Sequence, residues 1–81
     1  MDELQAMTLR ECVAVKVERY LQDLGAEIPE GLHARVMEEV ERALLAKILE
    51  HCQGQKGVAA RWLGINRNTL SKKIQNYGLD R

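Results

Sequence analysis

The sequence contains no phenylalanine, one tryptophan and one proline among its 81 residues. A core must therefore be built mainly from leucine, valine, isoleucine, alanine and methionine. The single Pro29 leaves long stretches free to be helical, because a proline inside a helix removes a backbone donor. No apolar run approaches the ~18 residues that a membrane-spanning helix requires, and nothing at the N-terminus resembles a signal peptide. We expect one small soluble, cytosolic domain without a membrane partner.

Residues that carry chemistry are equally sparse. Cys12 and Cys52 do not form a C-x-x-C pair, so we expect two reduced thiols in or near the core. His33 and His51 lie far apart without ligand spacing, which favours surface or helix-end roles. The sequence has no phosphate-cradling glycine loop, no HExxH and no Ser/His/Asp set in a motif context. We predict a protein that is not an enzyme and has no cofactor, metal or small-molecule substrate.

The net charge of zero hides a strong asymmetry. Residues 1–50 carry six basic and eleven acidic side chains, whereas residues 51–81 carry six basic side chains and only Asp80. No acidic residue lies between Gln53 and Leu79. An acidic scaffold with a basic end indicates nucleic-acid binding, since DNA is a polyanion. The alternative is a solvated helix face, but the charge coincides with the motif described next.

Residues 54–78 have the pattern of two short helices joined by a tight turn. Gly64 suits a helix C-terminus because glycine tolerates a positive φ, and Asn66 suits the N-cap of the next helix. This pattern predicts a helix-turn-helix, whose second helix lies in the DNA major groove. The apolar stripes at helical spacing are Val58, Ala59, Trp62 and Leu63, then Leu70, Ile74 and Tyr77. The outward face of the second helix carries Arg67, Asn68, Ser71, Lys72 and Gln75.

Two longer helices are predicted before this unit. Thr8 and Glu11 fit a capping box at the start of a first helix that ends at Gly25. A connector over residues 26–31 contains the proline. The second helix is predicted from about Leu32 to Cys52. Trp62 and Tyr77 are expected to pack between helices rather than to stack on bases.

The second helix is apolar around most of its circumference over residues 43–49, so it must be buried on most sides. We predict a two-fold dimer in which the first and second helices form an intertwined four-helix bundle. The alternative is a monomer in which the C-terminal helices fold back over this segment. The domain division is then residues 1–52 for dimerisation and 53–81 for DNA binding. The predicted interface residues are Val13, Val17, Leu21, Val36, Val40, Leu44, Leu45 and Ile48.

The run from Gly64 to Leu70, with Lys72-Lys73 and Tyr77-Gly78, resembles the Fis family of bacterial nucleoid proteins. It also resembles the Fis-type domain that ends NtrC-like, sigma-54-dependent activators. Segments 40–45 and 9–21 are similar to the family's second and first helices, so the resemblance covers about residues 9–79. It implies an all-α homodimer that binds degenerate palindromic double-stranded DNA. It also implies DNA bending, because the two recognition helices lie closer together than successive major grooves of straight DNA.

The resemblance also implies particular contacts. Arg67 would reach a guanine edge, and Asn66 would contact a base or the backbone. Thr69, Lys72 and Lys73 would hold phosphates. Ser71 stands where Fis usually has an arginine, so we expect a change in affinity or base preference there. The full set of expected DNA-binding residues is Lys56, Asn66, Arg67, Asn68, Thr69, Ser71, Lys72 and Lys73.

Three functional interpretations remain open. The first is a free protein of the bacterial nucleoid that regulates transcription or organises DNA. The second is the dimerisation and DNA-binding domain of a larger activator. The third is a protein-interaction module that does not bind DNA. Since almost nothing precedes the first helix, the N-terminal arm with which some Fis proteins stimulate recombinases is not expected here.

Overall fold

The structure, a computed structural model, describes residues 6–80. Within that range the chain forms four α-helices of eight residues or more, and no strand. They are α1 (Leu9–Leu24), α2 (Leu32–His51), α3 (Lys56–Leu63) and α4 (Arg67–Tyr77). This confirms the predicted all-α fold class, and the predicted helix ends agree to within a residue. The intertwined bundle stays a prediction, because the structure describes a single chain.

The described chain divides into two compact units, and the first covers residues 6–36. Its main element, α1, begins at the predicted capping box. The Thr8 hydroxyl accepts a hydrogen bond from the Glu11 backbone N–H at 3.1 Å, and the Glu11 carboxylate accepts one from the Thr8 N–H at 2.7 Å. No residue of α1 is buried, and Leu9 is 75% exposed. Much of the apolar surface of α1 is therefore left open to solvent.

The second unit covers residues 37–80, so the boundary between the two compact units falls inside α2. The functional division at residue 52 stays a prediction. The C-terminal part of α2 shares a core with α3 and α4. Three of its side chains, Leu45, Leu70 and Ile74, are large and fully enclosed. Ala59 and Ala60 are buried as well, and their small side chains let α3 pack closely against its neighbours. The buried residues of this unit are Leu45, Cys52, Ala59, Ala60, Leu70 and Ile74.

The turn between α3 and α4 has the predicted chemistry. Gly64 adopts the left-handed conformation (φ 73°, ψ 31°), and its N–H donates to the Ala60 carbonyl at 2.8 Å. The Ile65 N–H donates to the same carbonyl at 3.1 Å. These bonds satisfy carbonyls that the end of a helix otherwise leaves without partners. The chain then turns into α4 within three residues.

The expected packing of Trp62 is wrong, because this side chain is 60% exposed. Successive residues of an α-helix are rotated by 100°, so the buried Ala59 and Ala60 centre the inward face of α3 between them. Leu63 lies at that centre and is half-buried, whereas Trp62 lies about 110° away from it. The inward face of α3 therefore includes Ala60 in place of Trp62. Tyr77 is half-buried and its hydroxyl bonds to Glu41 of α2, as expected for a side chain that packs between helices.

The two thiols also behave as expected. Cys52 is buried in the core of the second unit, and Cys12 is half-buried on α1; both are free cysteines.

Candidate nucleic-acid interface

The outer face of α4 is polar and basic. Burial of Leu70 and Ile74, one helical turn apart, fixes the rotation of α4 about its axis. That rotation leaves the opposite side to solvent, as the sequence pattern predicted. The exposed side chains on α4 include Arg67, Asn68, Thr69, Lys72 and Gln75, and Ser71 is half-buried.

The first turn of α4 is held by Asn66. Its side-chain oxygen accepts hydrogen bonds from the backbone N–H of Asn68 at 2.8 Å and of Thr69 at 3.3 Å. An N-cap of this kind satisfies amides that the helix itself leaves without partners. The Asn66 oxygen is thereby occupied, and its amide nitrogen remains as the group that could donate to DNA.

The start of α3 differs from the start of α4. Gln55 occupies the N-cap position, and its side chain makes no capping hydrogen bond. The first backbone N–H groups of α3 therefore have no side-chain acceptor on Gln55. Lys56, the first residue of α3, is half-buried there. A cation next to open helix amides is a favourable place for a phosphate oxygen.

The three basic side chains of α4 have different surroundings. Within residues 6–80, no carboxylate forms an ion pair with Arg67 or Lys72. Lys73 lies instead against Glu41 of α2, with its Nζ 3.1 Å from each carboxylate oxygen. Four of the predicted DNA contacts are thus exposed on α4, whereas the charge of Lys73 already has a partner; the four are Arg67, Asn68, Thr69 and Lys72.

Glu41 and Arg42 were missed by the sequence analysis. The Tyr77 hydroxyl donates to Glu41 Oε1 at 2.7 Å, and Arg42 Nη1 donates to the Tyr77 carbonyl at 2.8 Å. The hydrogen bonds from Tyr77 and Lys73 lower the pKa of Glu41, and the hydrogen bond to Glu41 raises the pKa of Tyr77. No local sequence signal marks this cluster, because its α2 half (Glu41 and Arg42) and its α4 half (Lys73 and Tyr77) are more than thirty residues apart.

Neither a metal site nor a membrane-spanning helix is seen within residues 6–80. His33 and His51 are both exposed. No group of histidine, cysteine, aspartate and glutamate within residues 6–80 is arranged to hold a metal ion. In the same range, none of the helices combines the length and the apolar character needed to cross a bilayer.

Two short helices, a left-handed glycine turn and an exposed basic second helix define a helix-turn-helix protein. The chain belongs to the Fis family: the sequence model of "Bacterial regulatory protein, Fis family" matches residues 36–77. This is a family of regulators without enzymatic activity.

Individual relatives cover most of the chain. It is 48% identical over 71 residues to a Fis-like DNA-binding protein of Xylella fastidiosa, covering 88% of this chain and 79% of that one. It is 38% identical over 71 residues to a Fis-like DNA-binding protein of Ralstonia nicotianae, covering 88% and 92%. It is 37% identical over 79 residues to the DNA-binding protein Fis of Aliivibrio fischeri, covering 98% and 81%.

Proposed function

We propose that this protein is a homodimer that binds and bends double-stranded DNA with loose sequence preference in the bacterial cytoplasm. Its role is in transcription regulation or in organisation of the nucleoid. The observation that carries the proposal is the exposed basic face of α4, whose orientation is fixed by Leu70 and Ile74. The names of the relatives, which describe DNA-binding proteins, support it.

Sequence preference comes from the start of α4, the recognition helix. Arg67 is exposed at its first position, where a cation is disfavoured by the positive end of the helix dipole. The N7 and O6 acceptors of a guanine compensate for that placement. Asn66 uses its remaining amide donor on a base or a backbone oxygen, and Asn68 lies exposed beside it.

Phosphate contacts provide most of the affinity. Lys72 and Thr69 approach one strand from α4, and Lys56 approaches from the start of α3. The Ser71 hydroxyl reaches less far than the arginine that Fis usually has, so the edge of the half-site is held less strongly. With few base contacts, the deformability of DNA selects among sites. The interaction is therefore strongly dependent on salt.

A second copy of the chain covers the exposed apolar residues of α1 and α2. Leu44 is 48% exposed and Leu21 is 36% exposed in the single chain. Apolar surface on successive helices favours an isologous bundle, in which each chain covers the other. Leu45 lies in the core of its own chain, so it contributes to such an interface only indirectly. The proposed contacts are Val13, Val17, Leu21, Val36, Val40, Leu44 and Ile48.

The DNA proposal is tested by selecting sites from random duplexes and then measuring affinity by fluorescence anisotropy. Arg67→Ala should weaken binding to a selected site by about 5- to 150-fold, corresponding to ~1–3 kcal/mol of discrimination. Binding to unrelated duplex should change much less. Lys47→Ala is the control, because Lys47 is exposed, belongs to α2 and is paired with Glu50 of the same helix. Equal losses on both duplexes would make Arg67 a phosphate contact, and absence of binding by the unaltered protein would refute the proposal.

The dimer is tested by sedimentation. Leu44→Asp should convert the dimer to monomer, since it places a charge in the proposed apolar interface. Gln53→Asp introduces the same charge at an exposed position after α2 and should leave the dimer intact. A monomeric unaltered protein, or an intact Leu44→Asp dimer, would contradict the proposed bundle. Bending is measured separately from the gel mobility of duplexes that carry the site at different positions.

A further inference from the structure

Glu41 is an acidic side chain that the fold brings against the recognition helix. The sequence from Gln53 to Leu79 contains no acidic residue, yet α2 supplies a carboxylate from outside that segment. Both carboxylate oxygens lie 3.1 Å from Lys73 Nζ. The basic charge of α4 in the folded protein is therefore smaller than the sequence of α4 suggests.

The carboxylate is held in place by a second donor. The Tyr77 hydroxyl donates to Glu41 Oε1 at 2.7 Å, and the Tyr77 ring in turn lies 5.1 Å from the Arg42 guanidinium. Glu41 cannot turn away from Lys73 without losing the bond to Tyr77. The side chains of Glu41 and Lys73 are only 32% and 35% exposed, whereas those of Glu50 and Lys47 are 66% and 74% exposed. The first pair is thus less weakened by solvent.

We propose that Glu41 holds Lys73 back from the DNA phosphates and so sets the overall strength and salt dependence of DNA binding. This inference rests on the proposed function. A lysine that neutralises a phosphate adds affinity on every sequence alike and makes the salt dependence steeper. A lysine paired with a carboxylate releases no DNA counterion until that pair is broken. Glu41 is therefore a positioning residue that acts through Lys73, while Arg67 and Asn66 provide sequence preference.

The test compares Glu41→Gln with Glu50→Gln. Both remove one negative charge, but only the first frees a lysine on α4, and its amide oxygen can still accept the bond from Tyr77. Glu41→Gln should steepen the slope of log K against log salt by ~0.9 per half-site, or about 2 per dimer. Near 0.1 M salt it should tighten binding roughly tenfold per half-site, on selected and unrelated duplexes alike. Glu50→Gln should leave the slope unchanged.

Lys73→Gln is made both in the unaltered protein and in the Glu41→Gln variant, which completes a double-mutant cycle. In the unaltered protein it should change the slope little, and in the double variant it should abolish the gain. A slope reduced by ~0.9 per half-site in the Lys73→Gln single variant would overturn the inference, because Lys73 would then contact phosphate despite Glu41. The salt slope of the Lys73→Gln single variant tests the inference even if Glu41→Gln does not fold. Equal effects of the two glutamate variants would also overturn it. If the unaltered protein binds no DNA, the proposed function fails as well, which is a distinguishable result.

Discussion

Replacing Gly64 by alanine should destabilise the protein by about 1–2 kcal/mol. Gly64 has a φ of 73° and ψ of 31°, a left-handed conformation that is costly for any residue with a Cβ. A Cβ built at this position meets no atom within 4 Å. The penalty is therefore one of backbone conformation, without an added clash, and it falls on the turn that joins α3 to α4.

Gly57 provides the matched control. It lies inside α3 without a positive φ, and a Cβ there also meets nothing within 4 Å. Alanine should therefore stabilise the helix at this position by about 0.5 kcal/mol, because glycine loses more backbone entropy when a helix forms. The same substitution thus has opposite signs at two glycines only seven residues apart.

Both variants are measured by thermal and urea denaturation followed by circular dichroism. One protein concentration is used throughout, since the stability of the proposed dimer would depend on concentration. One kcal/mol corresponds to a shift of ~4–8 °C in Tm for a domain of this size. Gly64→Asn should fall between alanine and glycine, because asparagine tolerates the left-handed region better. A Gly64→Ala protein as stable as the unaltered one, or a Gly57→Ala protein that is equally destabilised, would refute this reasoning.

Four further predictions concern the second unit. In urea denaturation, Leu70→Ala should lower the free energy of unfolding by about 2–5 kcal/mol, because this side chain is fully buried. Trp62→Ala should lower it by only about 0.5 kcal/mol, because this side chain is largely exposed. Asn66→Ala should lower the free energy of unfolding by ~1 kcal/mol, because the N-cap of α4 is lost. Asn66→Ser, which can still cap, should keep most of this stability in thermal melts. The Tyr77 hydrogen bond lowers the pKa of Glu41 below its ordinary 4.5. The stability from this bond should therefore be present above pH 4.5 and be lost as the pH falls through the lowered pKa. Glu41→Gln should flatten this acid limb in melts recorded as a function of pH, and an unchanged limb would contradict the assignment.

The helices and their ends could be predicted because their signals are local. Thr8 with Glu11, Gly64 and Asn66 each act on backbone groups within a few residues, and the structure shows all of these caps. The outward face of α4 could also be predicted, since burial of Leu70 and Ile74 follows from helical spacing alone.

The errors arose where long-range packing decides. Trp62 has the larger apolar side chain and was expected to be buried in α3. The structure instead buries Ala60 and leaves Trp62 60% exposed. The partner of Lys73 lies thirty-two residues away on α2, where no periodicity indicates it. A list of basic residues in sequence therefore overstates the charge available to DNA.

The self-contained core of residues 37–80 has an evolutionary consequence. The region that the family model recognises, residues 36–77, nearly coincides with this compact unit. A segment that buries its own leucines and isoleucine can be transplanted onto a different preceding helix without rebuilding its interior. Evolution can thus replace the segment that precedes residue 37 while it retains the helix-turn-helix unit. Protein engineers can make the same exchange by joining a different sequence within α2.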